Sequence, residues 1–362
     1  MRVCEGFVEA GCSVDLWAPG SRTCFDSIEE LSSFYGIDMA PRIAIVPRHA
    51  RRAWAICCWA AAAIRASNAA DFTYCRDARA ALALRTLGMA TVLEVHSPAI
   101  METKPWKALM KWPLRRHLTI VAISRALEER LDDETRTRCV KVVCEPDAVQ
   151  QSKLAPSACT SPDRGKSPQR RLNAAYAGTI APGRGIELIH QLALKSPEIN
   201  FHFAGRVHES LRDWFKRKLM TQENVTYAGE LRPSAISDWL YHADCLLAPY
   251  VPGSQTMQNE DSTAWMSPLK VFEYMASSRP ILISDLPTIR EVLDERSAVL
   301  LPPQEVEPWH AALRRLLGDR DYYASQARES LRLVERHTWK SRGARILLTQ
   351  IPPAERCIGD PG

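Results

Sequence analysis

Short apolar runs, many of them rich in β-branched residues, alternate along the chain with stretches of helical spacing. In the first part of the sequence these runs predict six strands, at 13–17, 43–46, 72–75, 90–95, 118–122 and 140–143. Helical patterns separate them, among them 2–11, 77–87 and 124–132, where Ser124 is placed to cap the helix. Alternation of strands and helices is typical of parallel sheets that carry helices on both faces.

A segment rich in Ser, Pro and charged residues interrupts this alternation at 151–171, and its composition indicates a linker. A second alternating set follows, with predicted strands at 173–177, 199–204, 224–227, 244–247, 281–283 and 298–301. Helices are predicted between these strands at 185–194, 208–220, 233–242, 268–276 and 305–317.

The predicted fold class is therefore α/β, with two doubly wound, Rossmann-like parallel-sheet domains. The first domain spans 1–150 and the second spans 172–340, and a C-terminal helix and tail at 341–362 is expected to pack back on the first domain. Ligands of doubly wound sheets bind beyond the carboxyl ends of the strands. Two such domains facing each other predict a cleft between them.

Composition and charge exclude a disordered protein and do not favour a nucleic-acid-binding one. With 46% hydrophobic and 25% charged residues the chain is globular, which excludes a disordered protein. The first 171 residues hold 25 Lys/Arg and 19 Asp/Glu, so this half carries the whole net charge of +5. An excess of this size indicates an anionic partner or surface but is too small to predict nucleic-acid binding.

The eleven cysteines contain no CxxC pair and no metal-ligand spacing, which favours reduced thiols in the cytoplasm. The start of the chain lacks the apolar stretch of a secretory signal. The longest apolar run, 53–64, is shorter than the ~20 residues of a membrane span and is expected to be a buried helix. The expected location is cytoplasmic, with peripheral attachment to the inner face of a membrane left open.

The segment at 104–117 combines cationic and apolar residues in a way that is compatible with attachment to a membrane surface. Five Lys and Arg residues alternate there with Trp106, Leu109, Met110 and Trp112. Such a pattern suits an anionic bilayer surface. It equally suits a surface helix whose apolar side chains pack inward, and the sequence does not separate the two.

The start of the predicted helix at 268–276 has an unusual charge. Ser267 is placed as its cap and Pro268 as its first residue, where the missing N–H costs nothing. Lys270 in the first turn opposes the helix dipole unless an anion lies between them, which predicts a bound phosphate. Glu273, one turn later, suits ribose hydroxyls. The alternative is a solvated Lys270–Glu273 pair.

A glycine-rich turn at 176–187, YAGTIAPGRGIE, follows the first strand of the second domain. Glycines allow the backbone to approach a ligand, and Arg184 supplies a fork of donors for diphosphate oxygens. Two cations at two strand ends of one domain indicate an anion site more strongly than either turn alone.

These stretches, together with several others, resemble the retaining glycosyltransferases of the GT-B fold, family four. In the second domain the resemblance is carried by YAGT, GRGIE, FAG, YAGEL, YHADCLLAPY and SPLKVFEYMASSRPILISDLPTIREVL. In the first domain it is carried by TYCRD at 73–77, VLEVHSP at 92–98, VAISRAL at 121–127 and EPDAV at 145–149. The match covers most of the chain and is most specific over 172–300.

The resemblance implies a nucleotide-sugar donor held by the second domain. Arg184 and Lys270 would hold the diphosphate and Glu273 the ribose, while His96 of the first domain would face the transferred sugar. The residues assigned to donor binding are Gly178, Thr179, Arg184, Ser267, Leu269, Lys270 and Glu273. Those assigned to catalysis are His96, Arg184 and Lys270.

The implied reaction transfers the sugar, with retention of anomeric configuration, to a glycan, lipid-linked or small-molecule acceptor, as in cell-surface polysaccharide biosynthesis. No cofactor and no metal are expected. A nucleotide-sugar epimerase of the same fold, or a truncated and inactive relative that binds nucleotide, are the alternatives.

Some positions depart from the pattern of the family. Trp265 stands where a first glutamate is frequent, and Ser278 and Ala148 stand where glycine is usual. The first helical pattern and strand resemble later elements of the family domain, so its opening strand is expected to be absent. Strands 13–17 and 90–95 would then lack the partner between them.

Overall fold

The computed structural model describes residues 1–20, 28–37, 42–47, 70–111, 118–135, 140–154, 171–253 and 261–350. The chain divides into two compact units, each described by itself below. Unit 1 comprises Met1–Ser33, Ile37–Pro146 and Trp339–Gly362, and unit 2 comprises Phe34–Gly36 and Asp147–Thr338. The apolar run at 53–64 and most of the linker at 151–171 lie outside the described residues.

Unit 1 contains two parallel sheets. Strands β1 (Asp15–Gly20) and β2 (Arg42–Pro47) pair with Asp15 opposite Arg42. The second sheet has the order β3-β4-β5-β6, formed by Thr73–Cys75, Thr91–Val95, Leu118–Ala122 and Lys141–Cys144. Strand β4 is hydrogen-bonded to β3 on one side and β5 on the other. The expectation that 90–95 lacks a neighbour is therefore wrong.

Six α-helices lie in unit 1 among the described residues, and the last two residues of the second of them fall in unit 2. They are α1 (Arg2–Glu9), α2 (Ile28–Tyr35), α3 (Ala78–Thr86), α4 (Lys104–Lys111), α5 (Arg125–Thr135) and, from the far end of the chain, α12 (Trp339–Gln350). The Ser124 hydroxyl accepts from the Leu127 N–H at 3.3 Å, so the predicted cap of α5 is confirmed. Helix α1 contributes Phe7 to the core of unit 1, where Phe7 packs with Val92 and Ile346.

Helices α1 and α12 approach closely because glycines meet at their contact. A Cβ on Gly6 would lie 2.3 Å from the Trp339 carbonyl oxygen, and one on Gly343 would lie 2.8 Å from the Gly6 carbonyl oxygen. Only residues without a side chain fit at this distance. The C-terminal helix is thereby fixed against the N-terminal helix within unit 1.

Unit 2 is built on a six-stranded parallel sheet of order β12-β11-β10-β7-β8-β9. The strands are β7 (Leu172–Ala177), β8 (Ile199–Ala204), β9 (Val225–Tyr227), β10 (Cys245–Ala248), β11 (Ile281–Ser284) and β12 (Val299–Leu301). The chain moves outward from β7 to β9 and then crosses to β10 on the other side of β7. Strand order reverses between β7 and β10, which is where doubly wound sheets form a ligand crevice at their carboxyl edge.

Helices pack on both faces of this sheet and bury it in two apolar layers. They are α6 (Ile186–Lys195), α7 (Ile236–Tyr241), α8 (Leu269–Ala276), α9 (Pro287–Arg290), α10 (Val306–Gly318) and α11 (Arg320–Val334). One layer contains Phe201, Phe203 and Trp309, and the other contains Phe272 and Ile283. The helix predicted at 208–220 is instead three short pieces, ending in a π-helical turn at Phe215–Leu219.

Candidate functional site

Directly after the carboxyl ends of the neighbouring strands β7 and β8, the backbones of Gly178 and Gly205 come into close contact. Gly178 has a φ of +140° and Gly205 a φ of +134°, a region that favours glycine. A Cβ on Gly205 would lie 2.0 Å from the Gly178 carbonyl oxygen, and the Gly178 N–H donates to the Ala204 carbonyl at 2.9 Å. The bare side of Gly178 leaves space that the Lys270 ammonium enters, 3.6 Å from the position of the missing Cβ.

The turn after β7 is pressed against the end of β10. Gly185 has a φ of +69°, and a Cβ there would lie 1.8 Å from the Pro249 carbonyl oxygen. The Val251 N–H donates to the Gly183 carbonyl at 3.1 Å and ties the two segments together. Arg184, between these two glycines, is consequently held at the carboxyl edge of the sheet.

Helix α8 begins one residue later than the sequence predicts. Pro268 is its N-cap, and Leu269, which is half exposed, is its first residue. Ser267 is not the cap: its hydroxyl accepts from the Asp147 N–H at 2.8 Å, which anchors the turn that precedes the helix. The first amides of a helix have no partner within it and carry partial positive charge. An anion at this helix start would therefore meet backbone amides as well as the Lys270 side chain.

The Lys270 ammonium lies between two buried tyrosine rings. Its Nζ is 4.3 Å from the centre of the Tyr176 ring and 4.5 Å from that of Tyr250. The Arg184 guanidinium lies 5.8 Å from the centre of the same Tyr250 ring. Within the part of the chain that the structure describes, no carboxylate forms an ion pair with Lys270 or Arg184. The two cations therefore share one aromatic neighbour and have no counter-ion there.

The electrostatics follow from this enclosure. Burial and, second, the nearby Arg184 charge hold the pKa of Lys270 well below its usual range. Burial likewise raises the pKa of Tyr176 and Tyr250, so both remain neutral rings. An anion placed between the two cations would relieve their repulsion and raise the pKa of Lys270 again.

Tyr274 joins the two strands that the site adjoins. Its hydroxyl accepts from the Ala177 N–H at 2.7 Å and lies 3.3 Å from the Leu247 carbonyl oxygen. The Tyr176 hydroxyl donates to the Thr179 carbonyl at 2.9 Å and fixes the turn after β7. Neither tyrosine was singled out from the sequence, although both stand inside the motifs YAGT and EYMA.

The other predicted donor-site residues lie in the same region of unit 2. Gly178 and Thr179 follow β7, and Ser267 and Leu269 precede and begin α8. Glu273 is one helical turn beyond Lys270 and half-buried. The structure thus places all seven predicted donor residues at or near the carboxyl ends of β7 and β10, or on the first turns of α8.

His96 lies in unit 1, one residue past β4, in a cluster of polar side chains. Its Nε2 is 2.5 Å from Glu94 Oε1, and the Arg76 Nη2 is 3.0 Å from its Nδ1. The other oxygen of Glu94 accepts from Arg342 Nη2 at 2.6 Å and from the Tyr74 hydroxyl. Sequence spacing gives no signal for this cluster, because Arg342 comes from α12.

The segment at 104–117 is described only as far as Lys111. Trp106 and Leu109 are fully buried and Met110 is nearly so, which means that these apolar side chains pack inward in unit 1. Of the two alternatives that the sequence leaves open for this segment, these three side chains follow the inward packing, and Trp112 lies outside the described residues. Lys104, Lys107 and Lys111 are exposed, and Lys107 pairs with Glu102 at 3.0 Å. Among the described helices, none is long and apolar enough to cross a bilayer.

Comparison with known proteins places this geometry in context. Residues 178–319 match the family model of the glycosyl transferases group 1. No curated protein matches the sequence. The match covers the segment that holds the seven donor-site candidates, and it supports the family expected from the sequence motifs.

Solved structures of similar fold cover nearly the whole chain. Sucrose-phosphate synthase from Thermosynechococcus elongatus has a TM-score of 0.67 at 14% identity, over 96% of this chain and 90% of that one. Anabaena Alr3699/HepE in complex with UDP and glucose has a TM-score of 0.67 at 13% identity, over 96% and 95%. An E. coli structure bound with UDP-2-fluoro glucose has a TM-score of 0.63 at 12% identity, over 97% and 96%. These likenesses show the fold, and the predicted GT-B class of two parallel-sheet α/β domains is confirmed.

Proposed function

We propose that the chain is a retaining glycosyltransferase that moves a sugar from a nucleoside-diphosphate donor to an acceptor hydroxyl. One observation carries the proposal: Arg184 and Lys270 lie against the same Tyr250 ring, without a carboxylate partner among the described residues, where strand order reverses. A diphosphate supplies the anion that this arrangement lacks. The match of residues 178–319 to group 1 glycosyl transferases supports the same reaction class.

The donor diphosphate would bind to both cations and to the first amides of α8. Arg184 presents a planar fork of donors to phosphate oxygens, and Lys270 acts as a compact point charge. Glu273, one turn along α8, would accept hydrogen bonds from ribose hydroxyls. Uridine diphosphate is the first probe to use, because the Anabaena structure holds UDP and the E. coli structure holds UDP-2-fluoro glucose.

The same cations would lower the barrier to transfer. As the bond between the sugar C1 and the phosphate oxygen breaks, negative charge grows on the departing diphosphate. Fixed cations and amides aimed at that charge stabilise the transition state more than the bound substrate. Since Tyr176 and Tyr250 hold the ammonium in place before the donor arrives, little reorganisation is needed.

Retention requires that the acceptor attacks the face from which the diphosphate leaves. The acceptor oxygen forms a bond to C1, the bond from C1 to the phosphate oxygen breaks, and the acceptor proton passes to the departing phosphate oxygen. The products are a glycoside and a nucleoside diphosphate. No protein nucleophile takes part, and we propose that Arg184 and Lys270 supply the charge without a metal or other cofactor.

The acceptor side of the proposal is less specific. We infer a hydroxyl of a glycan, a lipid-linked intermediate or a small molecule, as in the assembly of cell-surface polysaccharide. Peripheral contact with an anionic membrane would rest on the exposed amines of α4 alone, because its apolar residues are buried. His96 would lie on this acceptor side.

A donor and acceptor screen read by mass spectrometry tests the reaction. We expect a glycoside whose anomeric configuration, read by NMR, equals that of the donor, and turnover that survives EDTA. Lys270→Ala and Arg184→Ala should each lower kcat/KM on the order of 100-fold. Arg217→Ala is the control, because Arg217 is an exposed cation of the same unit paired with Asp213.

Three results would contradict the proposal. An inverted anomer would exclude retention. An epimeric nucleotide sugar formed without acceptor would indicate the epimerase alternative. UDP binding without turnover by any donor would indicate a relative that binds nucleotide only.

A further inference from the structure

Glu94 is a buried carboxylate whose two oxygens have different partners. It is 2% exposed, and one oxygen faces His96 Nε2 at 2.5 Å and Arg76 Nε at 3.1 Å. The other oxygen accepts from Arg342, itself 1% exposed, at 2.6 Å and from the Tyr74 hydroxyl. Both oxygens of the carboxylate are therefore held in place, one by Arg342 and Tyr74 and the other by His96 and Arg76.

The charge of Glu94 determines which nitrogen of His96 carries the proton. Burial alone would raise the pKa of Glu94, but the hydrogen bond from His96 and the Arg342 charge outweigh it and lower the pKa. An ionised carboxylate only accepts hydrogen bonds. A nitrogen held 2.5 Å from it must donate, which assigns the proton to Nε2.

Arg76 is consistent with this tautomer. A guanidinium only donates, so once Glu94 places the proton on Nε2, the Arg76 Nη2 can hydrogen-bond only to a bare Nδ1, from which it lies 3.0 Å. The same Nη2 lies 2.5 Å from Nε2, but two donors do not form a hydrogen bond with each other. Among the described residues, His96 has two partners, Glu94 and Arg76. Because the Arg76 side chain is 59% exposed and that of Glu94 is 2% exposed, Arg76 is the partner that a ligand can displace.

We propose that Glu94 and Arg342 are positioning residues that hold His96 as the Nε2–H tautomer and present its Nδ1 to a hydroxyl of the acceptor other than the one that attacks C1, a hydroxyl that displaces Arg76. This inference rests on the proposed function, which places His96 on the acceptor side. It assigns a role to α12, since Arg342 reaches Glu94 from that helix. The Tyr74 hydroxyl donates to the same oxygen of Glu94 and helps to hold it in place.

Imidazole ¹⁵N NMR on the full-length protein tests the tautomer without any turnover. The His96 signals are identified by their loss in His96→Gln. We expect a protonated Nε2 and a bare Nδ1 in the wild-type protein, and the same pattern in Arg76→Met, because Glu94 sets the tautomer. A proton on Nδ1 in either protein would overturn the inference.

Kinetics test whether the positioning matters. Glu94→Gln should mix the two tautomers and lower kcat/KM by at least about 10-fold, with the affinity for UDP unchanged. Arg345→Ala is the matched control. It removes another ion pair that α12 forms within unit 1, between Arg345 and Glu145 at 2.8 Å, and leaves the partners of Glu94 in place. Wild-type activity in a folded Glu94→Gln would also overturn the inference.

Tyr74→Phe serves where Glu94→Gln fails to fold, because it removes a single donor from Glu94. A several-fold loss of kcat/KM is expected, and an unchanged value would contradict the positioning role. Failure of the proposed function has a different signature: the wild-type protein would neither bind UDP nor transfer a sugar, whatever the tautomer of His96.

Discussion

The ammonium of Lys270 lies 4.3 Å from the centre of the Tyr176 ring and 3.6 Å from the position that a Cβ on Gly178 would take. An ammonium over an aromatic face is attracted by the ring quadrupole without being neutralised. A carboxylate in the same place would pair with the lysine and compete with an incoming anion. The aromatic enclosure therefore keeps the positive charge available to a ligand.

Substitution of Tyr250 separates the ring from its hydroxyl. Tyr250→Phe keeps the face that Lys270 contacts and should bind UDP with nearly wild-type affinity. Tyr250→Leu removes a cation–π contact of about 0.5–2 kcal/mol, so Kd should rise about 2-fold to 30-fold. Calorimetric titration measures both. Tyr322→Leu, which removes the contact with Arg315 at 3.6 Å elsewhere in unit 2, should leave Kd unchanged.

Lys270→Met should stabilise the protein while it abolishes donor binding. The folded-state pKa of Lys270 is lowered from 10.5, so between these two pKa values the unfolded chain binds more protons than the folded one. Wild-type stability consequently rises with pH across this window, and the charge is a penalty below it. We expect Lys270→Met to raise the free energy of unfolding by about 1 kcal/mol at pH 7.

Thermal unfolding at pH 7 and at pH 9 checks this prediction. The advantage of Lys270→Met over the wild type should shrink at the higher pH, where the wild-type lysine has lost part of its charge. If Lys270→Met is less stable than the wild type at pH 7, the buried ammonium does not lower the stability of the folded protein, and the prediction is contradicted.

Gly185→Ala should damage the site through the backbone. Its new Cβ would meet the Pro249 carbonyl oxygen at 1.8 Å, and its φ is +69°. Gly229→Ala is the control, since Gly229 has a φ of +79° with nothing within 4 Å of a new Cβ. Strain alone costs about 1–3 kcal/mol in both. Urea unfolding should show a larger loss in Gly185→Ala, together with weaker UDP binding that Gly229→Ala does not share.

Arg342→Met should destabilise unit 1 by about 3–5 kcal/mol, because it leaves the Glu94 carboxylate buried without its arginine. Arg345→Met, on the same helix and paired with the more exposed Glu145, should cost less than about 1 kcal/mol. Denaturant titration compares the two. Equal losses would mean that the Glu94 pair adds no more to stability than a surface pair.

The acid sensitivity of unit 1 should change in the same variant. Because the pKa of Glu94 is lowered below 4.5, its contribution to stability is present above that value and is lost as the pH falls below it. The wild-type protein should lose stability on acidification more steeply than Arg342→Met, which has already lost the main cation beside Glu94.

The strands were predictable because their signal is local. Strands 118–122 and 199–204 occur within the bounds that their apolar runs predict. The first is buried at every position and the second is buried everywhere except Asn200 and His202, which are half-buried. The helix at 208–220 was not predictable, because a 3-10 turn at Glu209–Leu211 and a π-helical turn at Phe215–Leu219 interrupt it, and the periodicity of the apolar residues encodes neither.

The donor site was predictable in part for the same reason. Lys270 and Arg184 stand next to turn and helix-start signals that the sequence displays. The cap role of Ser267 was wrong because its hydroxyl serves Asp147, 120 residues away. The Glu94–Arg342 pair and the tyrosine rings around Lys270 arise only when distant segments meet, so spacing along the chain carries no trace of them.

The discontinuity of unit 1 has a consequence for synthesis of the protein. Glu94 and Arg342 are 248 positions apart, and all of unit 2 except Phe34–Gly36 emerges between them. At about 5–20 residues per second, the ribosome completes unit 2 before it makes α12. Domains commonly fold in order from the N-terminus, but here the later unit is the first to have all its residues. The nascent first unit must wait, with a carboxylate and an apolar surface uncovered, until the last helix leaves the ribosome.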